Sequence, residues 1–158
     1  MISKFVSRFW SKKYRRSYRL KIHKTYRTLS KASLDTLWQK IIHVADVSWH
    51  PLFSSTDLPQ GLIAKPGLFY QVVTRLTPIP IQLFVENVKP KELLSIRILA
   101  IPGMEQRITY QVESTLCGTY LVCSIVLKGW LSPVMWWWIR PYCDRVASDL
   151  AHAVEALD

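Results

Sequence analysis

Residues Gly118 to Tyr142 read GTYLVCSIVLKGWLSPVMWWWIRPY. Two periods meet inside this stretch. Thr119, Leu121, Cys123, Ile125 and Leu127 alternate with Tyr120, Val122, Ser124 and Val126, the period of two that a strand presents to its two faces. The chain then breaks at Lys128-Gly129, and Ser132-Pro133 supplies a cap with proline at the first helical position. A helix is expected from Ser132 to about Leu157. The same break divides the apolar run Tyr120 to Ile139, so it does not read as a membrane span. Met135, Trp138, Tyr142, Val146, Leu150, Ala153 and Leu157 form the expected buried stripe. Successive helical side chains stand about 100° apart, so Trp136, Trp137 and Trp138 cannot share one face. Trp138 is assigned to the interior, Trp136 to its edge, and Trp137 to the outside with Arg140, Pro141 and Asp144. Pro141 cannot donate to the carbonyl of Trp137, which predicts a kink or break there.

Upstream of Gly118 the signals are strands joined by turns. Leu68, Tyr70 and Val72 alternate with Phe69 and Gln71; Ile81, Leu83 and Val85 alternate with Gln82, Phe84 and Glu86. Leu94, Ile96 and Ile98 follow the Lys89 to Glu92 turn, and Ile108, Tyr110 and Val112 follow Pro102-Gly103. Strands in series without intervening helices indicate an antiparallel meander. Earlier still, Tyr18, Leu20, Ile22 and Tyr26 alternate with charged residues, predicting a first strand. Ser33 reads as an N-cap with Asp35 in the first turn, and Leu34, Leu37, Trp38, Ile41 and Ile42 have helical spacing. Asp46 to Pro51, DVSWHP, reads as a second short helical turn stopped by Pro51.

The chain has 158 residues, 49% of them apolar and 12% aromatic, which fits one globular domain with a sizeable core. Its net charge of +10 is concentrated. Met1 to Lys31 carry eleven Lys or Arg and no acid, whereas the remaining 127 residues hold ten basic and eleven acidic ones. Within residues 1–17, Ile2, Phe5, Val6, Phe9 and Trp10 make an amphipathic stripe opposite Lys4, Arg8, Lys12, Lys13, Arg15 and Arg16. This basic extension is expected to touch an anionic membrane surface through Ile2, Phe5, Phe9, Trp10, Lys12 and Lys13. A basic tail, a segment packing on the outside of the domain, and a targeting segment are the alternatives. Three cysteines, Cys117, Cys123 and Cys143, with no paired spacing fit reduced thiols and a cytoplasmic setting, to which the N-terminal stripe adds peripheral membrane contact.

The order strand, two short helices, antiparallel strands and long C-terminal helix resembles the START-like superfamily, also called SRPBCC, and within it the polyketide cyclase/dehydrase-like group. Ala32 to Pro51, Pro66 to Arg75, Val88 to Ile98, Gly103 to Glu113 and Gly118-Thr119 carry the resemblance. It implies an α+β helix-grip fold over residues 18–158, with a curved antiparallel sheet of about six to seven strands wrapped around the long helix. It also implies a cavity between sheet and helix for a hydrophobic small molecule such as a lipid, isoprenoid or polyketide-like compound, with no cofactor.

His23, His43, His50 and His152 lack metal-ligand spacing, and no GxSxG, P-loop or GxGxxG occurs. The one catalytic candidate is His50, placed beside Trp49 near one end of the implied cavity, where an imidazole could exchange protons. A cap before Pro51 is the alternative. Parity turns Tyr70, Asn87 and Tyr110 toward the cavity, where two phenols and an amide could hold one polar end of a ligand. Trp49, Met135, Trp138 and Tyr142 complete the candidate lining. Arg75, Glu86, Arg97, Glu105 and Arg107 fall on the solvated face or at turns. Binding or carriage of a hydrophobic molecule is the leading reading, and a cyclase/dehydratase-type enzyme using His50 or a pocket tyrosine is the alternative. Nucleic-acid contact through the basic N-terminus ranks third, because the body has no basic surplus.

Overall fold

The computed structural model describes residues 21–155. The extension 1–17, the start of the first expected strand at Tyr18, and Leu157 lie outside them. Seven strands and two helices follow in chain order: β1 (Lys21–Ser30), α1 (Leu34–Ile42), β2 (Phe53–Thr56), β3 (Phe69–Thr74), β4 (Pro80–Lys89), β5 (Leu93–Leu99), β6 (Glu105–Thr115), β7 (Gly118–Lys128) and α2 (Ser132–Glu155). They form one antiparallel sheet in the order β1-β7-β6-β5-β4-β3-β2. Strands β2 to β7 are a meander; β1 alone closes over long range, pairing Lys21 with Lys128 and Ser30 with Thr119. The sheet curls around α2, which packs on β1 and β7, while α1 packs on β6 and α2.

Local chemistry explains the elements. The Ser33 hydroxyl accepts the Thr36 N–H at 3.2 Å and starts α1, and Asp35 and Lys40 complement its two ends. Its buried stripe is Leu37, Trp38, Ile41 and Ile42. In β6 and β7 every second residue from Gln106 to Val112 and from Thr119 to Leu127 is buried, so the alternation seen in the sequence is the concave face of the sheet. The convex face carries an ion network in which the Glu86 carboxylate lies 2.6 Å from Arg97 Nε and 2.7 Å from Arg107 Nε, with Glu105 beside both. It is partly exposed, and exposed ion pairs are typically worth about 0–1 kcal/mol each.

Three expectations are corrected. A second short helix is not formed: after α1 the chain makes two successive turns, closed by Asp46 N–H to His43 O and His50 N–H to Val47 O, both 3.0 Å. Pro51 prevents any continuation. Helix α2 runs through Pro141 without a break, because Pro141 is exposed and the carbonyl it leaves free can turn to water. The stripe of α2 is rotated from the expected one. Cys143, Val146, Ala147, Leu150, Ala151 and Val154 are buried, Trp136, Ile139 and Tyr142 pack against them, and Trp138 is 52% exposed. Stepping back from Cys143 by four and then three residues gives Ile139 and Trp136, whereas the expected stripe stepped from Tyr142 to Trp138.

This register predicts unequal effects along the tryptophan run. Trp136→Ala should cost about 2 kcal/mol, below the full-core range because the ring is partly exposed, and Trp138→Ala about 0.5 kcal/mol. Thermal melts of the two variants check it; a lower midpoint for Trp138→Ala would contradict the register.

Candidate functional site

Where α1 ends, the two turns lie over the concave face of the sheet, beside its edge strand β2, and leave a small cavity beneath them. Trp49, His50, Phe53, Tyr70, Ile96 and Tyr110 line it, with Lys40, Ile41, His43, Val44, Asp46 and Val47 from α1 and its turns. Its volume is about 30 Å³, room for one or two waters. Lys40 Nζ and Asp46 Oδ2 pair at 2.7 Å. Burial alone would raise the Asp46 pKa, but hydrogen bonds from Lys40 and Ser48 outweigh it and hold the carboxyl below its ordinary range.

His50 is 3% exposed. Its Nδ1 accepts two backbone N–H groups, from Leu52 at 3.1 Å and Phe53 at 3.2 Å, and its ring stacks on Phe53 with centroids 4.1 Å apart. Burial, with help from nearby Arg75, lowers its pKa to about 3. A neutral imidazole whose Nδ1 accepts must carry its proton on Nε2. That Nε2 is buried and has no partner among the described residues, and the same holds for Trp49 Nε1. Trp49 meets His50 at 5.0 Å between ring centroids and Tyr110 edge-on at 6.5 Å. Tyr70 and Tyr110 are 4% and 5% exposed, and burial raises both phenol pKa values well above the ordinary one. The cavity therefore offers neutral N–H and O–H groups in apolar surroundings. His50 cannot serve as a base in this arrangement, since one ring nitrogen is engaged by the backbone and the other is protonated.

No family model matches the sequence, and no curated protein sequence matches it. Solved structures do. Norcoclaurine synthase from Thalictrum flavum superposes with a TM-score of 0.64 at 14% identity, over 87% of this chain and 86% of that one. The di-domain ARO/CYC StfQ from the steffimycin biosynthetic pathway gives 0.69 at 10% identity, over 90% of this chain and 52% of that one. An uncharacterised protein from Bacillus thuringiensis gives 0.64 at 20% identity, over 87% and 100%. The chain has the START-like helix-grip fold.

Within this helix-grip fold the expected site residues divide. Trp49, His50, Tyr70 and Tyr110 come together around the cavity. Met135 is half-buried, its Sδ facing Gln106 Nε2 at 3.3 Å, and Tyr142 packs on the core; neither they nor Trp138 line this cavity. Asn87 is exposed, contrary to its parity. A β-bulge between Val85 and Asn87 inserts one residue against β5, so Val88, not Asn87, continues the inward face. The sequence reading missed the wall supplied by α1 and its turns. Ile41 already stood on the buried stripe, but nothing local says that Val44, Val47 and Phe53 face the same space. Among the described residues no helix is long and apolar enough to cross a membrane, and no His, Cys, Asp or Glu cluster could hold a metal ion. Cys123 and Cys143 are buried free thiols whose pKa values burial pushes up to about 12, which makes them poor nucleophiles.

Proposed function

We infer that the protein binds a hydrophobic small molecule carrying an acceptor oxygen, in the cavity between the concave sheet and the α1 turns. The observation that carries this reading is the pair of buried donors, Trp49 Nε1–H and His50 Nε2–H, which no protein group among the described residues satisfies, on the wall of one mainly apolar cavity. Buried donors left unpaired cost about 1–3 kcal/mol each, and a ligand oxygen would recover that. A ligand larger than the cavity would have to part α1 and its turns from the sheet. Solved proteins of this fold support the size class: norcoclaurine synthase has been crystallised with dopamine and hydroxybenzaldehyde. A cyclase or dehydratase reading is weaker, because it loses His50 as its base.

A matched pair of probes tests the inference. 2-Acetylnaphthalene should bind about tenfold or more tightly than 2-ethylnaphthalene, which lacks the acceptor, and Trp49→Phe should erase most of that preference. Calorimetric titration reads both affinities. Equal affinity for the two probes, or binding by neither, refutes the inference.

The carrier is further inferred to work at an anionic membrane surface reached through its N-terminus. The support is the cationic and aromatic composition of residues 1–17. Full-length protein carrying Phe5→Ser, Phe9→Ser and Trp10→Ser should co-sediment less with phosphatidylglycerol vesicles than the parent, and added salt should weaken the parent's binding. Unchanged sedimentation counts against it.

A further inference from the structure

The first turns of α2 expose an apolar face. Val134, Trp137, Trp138 and Pro141 fall within about 100° of helical arc; the first three are 60%, 79% and 52% exposed. Trp130, 59% exposed, precedes the helix and lies over the Pro102-Gly103 turn, where a methyl group on Gly103 would sit 3.6 Å from its Nε1. One exposed aromatic is ordinary, but three indoles at one end of a domain are a patch.

The charge around the patch is mainly positive, although Glu105 pairs across the sheet with Lys128 and Asp144 is exposed on α2. No acid occurs between Glu113 and Asp144, and the Asp144 carboxylate is engaged by the Tyr26 hydroxyl at 2.7 Å. Arg140 and Arg145 are exposed, and Arg145 continues the arc of the apolar face. The strand register pairs Lys21 with Lys128, two residues before Trp130. The segment before Lys21, with seven basic residues and no acid, therefore meets β1 at the same end of the sheet as the exposed indoles. An indole, an apolar body with one N–H, suits the headgroup region of a bilayer, and the surrounding cations suit anionic lipid. Pairing with a second copy would instead bring like charges together.

We propose that this face of α2 is a docking surface for anionic phospholipid bilayers, with Trp130, Trp137 and Trp138 entering the headgroup region. The proposal rests on the membrane-surface reading above but puts a contact on the folded domain itself, separate from the N-terminal one.

The test uses the full-length protein and vesicles of phosphatidylcholine with about one-third phosphatidylglycerol. The parent should bind, with a blue shift of its tryptophan emission. A Trp130→Ser, Trp137→Ser, Trp138→Ser variant should lose roughly tenfold or more in partition coefficient while keeping its melting temperature. Should the triple variant melt lower, the single variants Trp137→Ser and Trp138→Ser serve instead, each expected roughly threefold weaker. The Phe5, Phe9, Trp10 variant runs in parallel. If it binds like the parent while the indole variants do not, the α2 face stands and the N-terminal contact falls. If the indole variants bind like the parent, the α2 proposal is overturned whatever the N-terminal variant does. A parent that ignores vesicles but self-associates through these tryptophans overturns it too, assigning the face to a second copy.

Discussion

Acidification from pH 7 to pH 4 should cost about 3 kcal/mol of stability through His50 alone. The folded state holds this imidazole neutral, with its pKa lowered from 6.5 to about 3 by burial and by Arg75. The unfolded chain regains the ordinary value, so between about pH 6.5 and pH 3 it binds a proton that the folded state does not. Stability then rises with pH, and conversely falls by about 1.4 kcal/mol for each unit below 6.5. His50→Asn removes the titration while leaving an acceptor oxygen where Nδ1 receives the Leu52 and Phe53 N–H groups. Urea unfolding at several pH values compares the two proteins. Carboxylates weaken both in acid; the difference between them should shrink steadily as the pH drops from 6.5 to 4. A constant difference would mean that His50 is solvated or protonated in the folded protein, and the donor assigned to its Nε2 would go with it.

Gly129→Ala should be the most damaging of the small substitutions. Gly129 joins β7 to α2 at φ +133°, and a Cβ there would meet Met104 Sδ at 2.5 Å and the Gly103 carbonyl oxygen at 2.8 Å. The thioether could move, but the carbonyl belongs to the turn before β6 and cannot yield without displacing the strand. Met104 Sδ also faces the Leu131 N–H at 3.3 Å, so the clash reaches the start of α2. Backbone strain and overlap together should cost about 3 kcal/mol or more. Gly61→Ala is the control: its φ is +89°, but the added methyl meets nothing within 4 Å, leaving strain of about 1 kcal/mol. Chemical denaturation of both variants checks the ranking, and equal losses would show that steric overlap at Gly129 is relieved by local movement.

The amino-acid sequence by itself determined the elements of this protein and most of their facings. Alternation from Thr119 to Leu127 marked the inner face of β7, Ser33 and Ser132-Pro133 marked helix starts, and the order of elements pointed to the helix-grip architecture. These signals are local, because strand period, helix period and capping are properties of a few consecutive residues. The same is true of Tyr70 and Tyr110, whose parity put them on the concave face where the cavity lies. Tertiary structure decided what depends on partners distant in sequence. Asn87 turned outward because β4 takes a bulge against β5, a choice made by the pairing and invisible in β4 alone. Trp136 was partly buried and Trp138 left exposed because α2 seats Cys143, Val146 and Leu150 on the sheet; several helical stripes of similar apolar content were open to it, and packing against β1 and β7 selected one. His50 became a neutral donor instead of an acid–base group because β2 and the α1 turns buried it and the backbone beyond Pro51 claimed its Nδ1, and burial is set by the whole fold.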